Sequence, residues 1–227
     1  MTKTNHSIVT KQKLQEIALQ LFHQKGYEKT SVELIVKKSG VSKGAFYHHF
    51  KSKDEILESL AEQYAKNMAQ AAQAVAEQKN LGAVAKLNLA LSKDQQYKFI
   101  NLGQLLQIHC IIKQNRDQIF ENKLIEKGLV IAGKPFVKII KQGVAEKVFN
   151  TQYPEEIVEL IIRTISHMHD DIDMLAQDSK RQSQNFTAIK KKIAFVEEMI
   201  NRILDVKRGS IDLGCRRIVD LYKKFAN

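Results

Sequence analysis

The 227-residue chain has no tryptophan, only two prolines (Pro135 and Pro154), two cysteines and ten glycines. With helix breakers this sparse, long helices are favoured, and the sequence predicts an all-α fold. Cys110 and Cys215 are too few for a disulfide framework, which points to a reducing compartment. No stretch approaches the roughly 18 uninterrupted apolar residues of a membrane span, and the first residues do not resemble a signal peptide. A soluble, cytoplasmic protein is expected. Catalytic signatures are scarce as well. No Glu is followed three residues later by His, as a di-iron bundle requires, and neither His-Glu-x-x-His nor zinc-finger cysteine spacing occurs. The sequence argues against an enzyme and implies no cofactor.

What is present begins with an apolar share of 44%, ample for a packed interior, and a formal net charge of +11. The charge is uneven. Residues 1–53 carry ten Lys against three acids, 54–177 carry 14 basic against 16 acidic residues, and 178–227 carry 12 against six, giving +7, −2 and +6. A basic block at the N-terminal end suggests contact with a polyanion.

Within that block, Leu14, Ile17, Ala18, Leu21 and Phe22 trace the stripe of an amphipathic helix, which Gly26 would stop. Thr30 and Glu33 have the spacing of a capping box for a second helix that buries Val32, Ile35 and Val36. Gly40 permits a tight turn, and Ser42 suits the cap of a third helix. On that helix Lys43, Gly44, Tyr47 and His48 share one side, while Phe46 and Phe50 point the other way. Two short helices about Ser39-Gly40-Val41 form the pattern of a helix-turn-helix, whose second helix enters the major groove of DNA. Ser52 with Glu55 is another capping box, opening a fourth helix from Lys53 to about Gln78. Further helices are predicted over about 83–91, 93–114 (capped by Ser92 and Gln95), 117–148, 154–177, 186–206 and 210–225, with a loop over 178–185. The expected division is a DNA-binding domain over 1–52 and a larger helical domain over 53–227.

Reach and charge suggest roles for the head residues. Lys43 can donate to guanine or phosphate, Gly44 lets the backbone approach DNA, and Ala45 is small enough to meet a thymine methyl. Tyr47 and His48 can bond phosphate or stack on sugar, and His49 either joins them or packs on the head. Thr30 and Ser31 open the second helix, where free N–H groups can hold phosphate; Ser42 opens the third; Lys53 is the natural phosphate clamp.

These residues resemble the TetR family of bacterial transcriptional regulators. The likeness runs from Ile17 to Tyr64 and is carried by Ile17-Ala18-Leu19-Gln20-Leu21-Phe22, Lys25-Gly26-Tyr27, Thr30-Ser31-Val32 and the run from Ser39 to Glu55. A weaker echo lies at Ile139–Phe149 and Tyr153-Pro154-Glu155-Glu156. The resemblance implies a homodimer whose two heads occupy successive major grooves of a palindromic operator, released when the larger domain binds a small effector. It also implies dimerisation through helices near 154–177 and 186–206. A segment near 210–225 is extra, with Leu213, Ile218, Leu221 and Tyr222 able to dock it. One departure is Lys147, where a second glycine is frequent in the family.

In the body, Tyr64, Phe99, Leu105, His109, Phe136 and His167 are the candidate effector-lining side chains, each also suited to ordinary core or surface. Cys110 beside His109 reads either as an inert buried thiol or as a redox sensor. His167, His169, Asp170, Asp171 and Asp173 fall at helical spacings that could serve a divalent ion, with His167, Asp170 and Asp171 the weak metal candidates. Gly128 to Lys134 has the spacing of a phosphate-binding loop, but Pro135 stands where a Ser or Thr must reach magnesium, so the glycines are better read as a kink or a close helix contact. A metal- or redox-responsive regulator, or an adaptor that binds protein, is the alternative to a ligand-responsive repressor.

Overall fold

A computed structural model describes residues 3–100, 118–177 and 182–215, and every regular element among them is a helix. These are α1 (Lys3–Lys25), α2 (Val32–Ser39), α3 (Lys43–His49), α4 (Lys53–Ala76), α5 (Ala83–Ile100), α6 (Gln118–Ala145), α7 (Pro154–Gln177) and α8 (Gln182–Ile203). The chain forms two compact units. The first runs to Ala65 and includes the start of α6 up to Gly128; the second takes in Lys66–Ile100 and the described residues from Leu129 on.

The first unit is the head. Its core joins Leu14, Ala18, Leu21 and Phe22 of α1 to Ile35, Phe46, Phe50 and to Ile56, Leu57 and Leu60 of α4. Gly40, at φ 66°, closes α2 in the left-handed region and donates its N–H to the Val36 carbonyl, which turns the chain sharply into α3. Ser42 caps α3 by accepting from the Ala45 N–H at 3.1 Å. Ser52 caps α4 by accepting from the Glu55 N–H, while Glu55 reaches back to the Lys51 N–H. At 24 residues α4 is about 36 Å long, close to the length expected.

The second unit packs α5, α7 and α8 with the later part of α6 around Leu87, Leu91, Ile139, Ile140, Ile161, Ile165, Val196 and Ile200. Pro154 opens α7 with Glu155 and Glu156 in its first turn. Gly133 in α6 faces Val158 and Ile162 of α7 at Cβ-contact range, so it marks a close helix contact. Lys86 is almost wholly buried; its ammonium donates to the Ala76 carbonyl at 2.8 Å and to Gln142 Oε1 at 2.7 Å. Glu146 accepts from the Ala83 N–H, and that bond first, then Gln142, holds its carboxyl below the usual range.

Four element boundaries differ from the sequence reading. Ser31, not Thr30, caps α2, accepting from the Leu34 N–H. Ser92 does not open a new helix, because α5 runs unbroken from Ala83 to Ile100. Residues 182–185, expected as loop, begin α8. Residues 210–214, expected as helix, form no regular element, Cys215 lies in a turn, and 216–227 lie outside the described residues.

Beyond Ala145 the chain turns through Lys147, at φ 58° in the left-handed region where side chains cost about 1–2 kcal/mol. Lys147 is exposed, so Lys147→Gly should remove that strain and, after the entropy glycine adds to the unfolded chain, stabilise the protein by about 0.5–1 kcal/mol. A thermal melt of the two proteins checks it, and a lower midpoint for the glycine variant would refute it.

Candidate nucleic-acid interface

The face that α3 offers to solvent follows from its two ends. Phe46 (0% exposed) and Phe50 (2%) lock the inner side into the head core, which turns Lys43, Gly44, Tyr47 and His48 outward. Tyr47 is 49% exposed and makes an edge-on contact with Phe46, 5.3 Å between ring centres. Ala45 is half-buried, and the Ser42 hydroxyl is occupied as the helix cap. His49 is half-buried, with its ring 5.0 Å from that of His48. Its proton affinity is lowered by burial first, then by His48 and by Lys11.

Thr30 has a different task from the one its position suggested. It is 1% exposed; its hydroxyl donates to the Gly26 carbonyl at 2.9 Å, and its N–H donates to the Tyr27 carbonyl. That side chain fastens the α1–α2 connection and is not available to DNA. Ser31 is exposed. Glu33 sits at the same helix start, its carboxyl held low by its own backbone N–H first, then by Ser31, with Lys43 contributing. A phosphate at this helix end must therefore displace or share with Glu33.

Lys53 is half-buried; its ammonium donates to the Tyr27 carbonyl at 2.8 Å and lies 4.2 Å from the centre of the Tyr27 ring. The Tyr27 hydroxyl in turn donates to Asp54, and burial first, then Asp54, pushes its proton affinity far up. This Tyr27–Lys53–Asp54 set ties the start of α4 to the end of α1. Sequence reading missed it, although the placement of Tyr27 directly after Gly26 was a usable signal.

The Gly40-Val41-Ser42-Lys43-Gly44 run also spells the Gly-x-Ser-x-Gly pattern of a hydrolase nucleophile elbow. An elbow needs a strand before its serine; here α2 precedes it and the Ser42 oxygen is the cap of α3.

The described candidates of the body differ in their surroundings. Phe136 lies in the core of the second unit, while the His167 side chain is 79% exposed and sits 3.5 Å from Asp171. Asp171 is also paired with Lys192, and that bond first holds its carboxyl low. Tyr64 is half-buried on α4 in the first unit. No group of three metal-binding side chains occurs among the described residues. Leu105, His109 and Cys110 lie outside the described residues, as do the side chains of Phe99, Asp170 and Asp173.

A three-helix head with a capped helix-turn-helix, joined to a helical body, defines a helix-turn-helix regulatory protein. Comparison with known proteins gives the family. Residues 16–60 match the family model "Bacterial regulatory proteins, tetR family", and residues 106–192 match "Tetracyclin repressor-like, C-terminal domain". This chain belongs to the TetR family of bacterial regulatory proteins. It is 53% identical over 49 residues to the helix-turn-helix transcriptional regulator YuxN of Bacillus subtilis, covering 22% of this chain and 17% of that protein. It is 27% identical over 157 residues to the transcriptional repressor AcnR of Corynebacterium glutamicum, covering 69% and 77%. Several of the curated relatives match over only 17–27% of their length. SmeT of Stenotrophomonas maltophilia, solved with triclosan, superposes with a TM-score of 0.65 over 90% of this chain and 95% of SmeT, at 17% identity. That likeness is one of fold.

Proposed function

We propose that the chain is a DNA-binding transcriptional regulator and not an enzyme, acting as a ligand-responsive repressor that grips a palindromic operator as a homodimer. The observation that carries this reading is the outward face of α3. Lys43, Tyr47 and His48 stand exposed on a helix anchored from behind by Phe46 and Phe50, in a block of charge +7. Base edges and phosphates are the chemistry such a face fits. Double-stranded DNA is thus the first partner. The second is another copy, through α7 and α8, whose solvent faces carry Leu160 (47% exposed) and Phe195 (65%). Two such helix pairs form a four-helix bundle across a two-fold axis. An effector bound by the larger domain would release DNA by altering the spacing of the heads through α4; a few kilocalories of differential binding suffice.

Selection of duplexes from a random-sequence pool tests this reading. The enriched sites should be inverted repeats with half-site centres about one helical turn, or a multiple of it, apart. A pool that stays random through repeated rounds contradicts it.

His49 adds a pH dependence. The His49 proton affinity lies below its ordinary value of 6.5 in the free protein, so the unfolded chain binds the proton more readily. His49 therefore leaves the head at full stability above pH 6.5, and stability is lost as pH falls through the lower folded value. Phosphates at the same face act oppositely, favouring the protonated ring. Duplex affinity should thus rise between pH 8 and pH 6, and His49→Gln should flatten that rise. Anisotropy titrations at fixed salt would reveal either outcome.

A further inference from the structure

After α8 the chain does not simply trail off. Residues 210–215 form no regular element and run between α5 and α8, with Ile211 (2% exposed), Leu213 (0%) and Cys215 (1%) buried, Asp212 exposed between them, and Gly214 turning the chain at φ 70°. The segment forms no sheet, and side chains of the two helices take its backbone groups in alternation. Asn88 of α5 grips it twice, donating to the Ser210 carbonyl at 2.7 Å and accepting from the Asp212 N–H at 3.0 Å. From α8, Asn201 Oδ1 accepts from the Ile211 N–H at 3.1 Å, and Glu197 Oε1 from the Leu213 N–H at 3.0 Å. Asn201 and Glu197 are four residues apart, one turn of the same face. Gly214 then passes Ser92 of α5, where even a Cβ would stand 3.1 Å from the serine.

This is how a groove holds an extended peptide: main-chain bonds supply the grip and alternate pockets take the side chains. We propose that residues 210–215 are a releasable strap seated in a peptide slot between α5 and α8, tying the two helices together. A strap held by a few side-chain bonds opens at a lower free energy than the helices beneath it. When it lifts, Ile211, Leu213 and Cys215 leave the slot and the bonds from Asn88 of α5 and from Asn201 and Glu197 of α8 are released together. The slot then accepts a second copy of the same segment.

Cys215 reports the opening. In the full chain carrying Cys110→Ser it is the only thiol, and its reaction with an aromatic disulfide reagent measures how often the strap lifts. Labelling should proceed with a weaker urea dependence than global unfolding. Asn88→Ala, with the helical circular dichroism unchanged, should speed it roughly tenfold, since two strap hydrogen bonds are lost. A synthetic peptide of residues 208–215 carrying Cys215→Ser should speed it saturably by holding the slot open. The proposal is overturned if labelling follows the urea dependence of global unfolding and ignores the peptide. Should Asn88→Ala not fold, the peptide titration on the Cys110→Ser chain decides alone.

Discussion

Replacing Lys43 and Tyr47 together by alanine is expected to weaken duplex binding about a hundredfold or more while the head stays folded. The size follows from two contacts: a base-edge pair contributes about 1–3 kcal/mol, and a phosphate or sugar contact adds to it. The head should survive because neither side chain holds it together. Lys43 is exposed, and Tyr47 is half exposed and meets Phe46 edge-on, while Phe46 and Phe50 anchor the helix from the core. Anisotropy with a selected duplex gives the affinity, and a melt gives the stability. Lys43→Ala alone separates the roles of that lysine: a phosphate contact lowers the salt slope by about one for every duplex, while a base contact relaxes sequence preference at one position. Unchanged affinity in the double variant would remove α3 from the interface.

Gly143→Ala should be the most damaging single methyl group in the body. Phe149 folds back over α6 after the turn at Lys147, and its ring lies against the Gly143 backbone so closely that a Cβ would overlap it. The ring is 3% exposed and belongs to the core of the second unit, so it has nowhere to retreat. The Val148 and Phe149 N–H groups both donate to the Gly143 carbonyl, so backbone movement breaks bonds as well. Overpacking of this kind costs about 3 kcal/mol or more, which lowers the melting midpoint by roughly 6–12 °C in a protein of this size. A midpoint within a degree of the parent would mean that Phe149 does not pack there. Gly128→Ala is the matched control, since nothing lies within 4 Å of its added Cβ.

Much of the head was legible because its signals are local. The apolar stripe from Leu14 to Phe22, the turn at Gly40, the cap at Ser42 and the division between Phe46 and Tyr47 all follow from spacing and residue type within a few positions. Thr30 was misread for the same reason: Thr30-x-x-Glu33 and Ser31-x-x-Leu34 both fit a helix start, and burial under α1, which spacing does not encode, chose between them. Ser92 failed similarly. A cap signal in mid-sequence yields to packing when Ala90 and Leu91 are already buried and no glycine or proline breaks the run. The role of Lys53 depended on the Tyr27 carbonyl, 26 residues away. Least legible was the irregular segment after α8, whose bonds to Asn88 span 122 and 124 residues. Its apolar Ile211, Leu213 and Cys215 fit a strand as well as a helix, and only the slot between α5 and α8 decides.

The central claim is that the outer face of α3 lies against DNA, and protein-side hydroxyl-radical footprinting tests it most directly. With a selected duplex in excess, oxidation of Tyr47 and His48 should fall several-fold, while Tyr153, exposed on the body, keeps its DNA-free reactivity. If Tyr47 and His48 oxidise equally with and without bound duplex, α3 is not the reading helix.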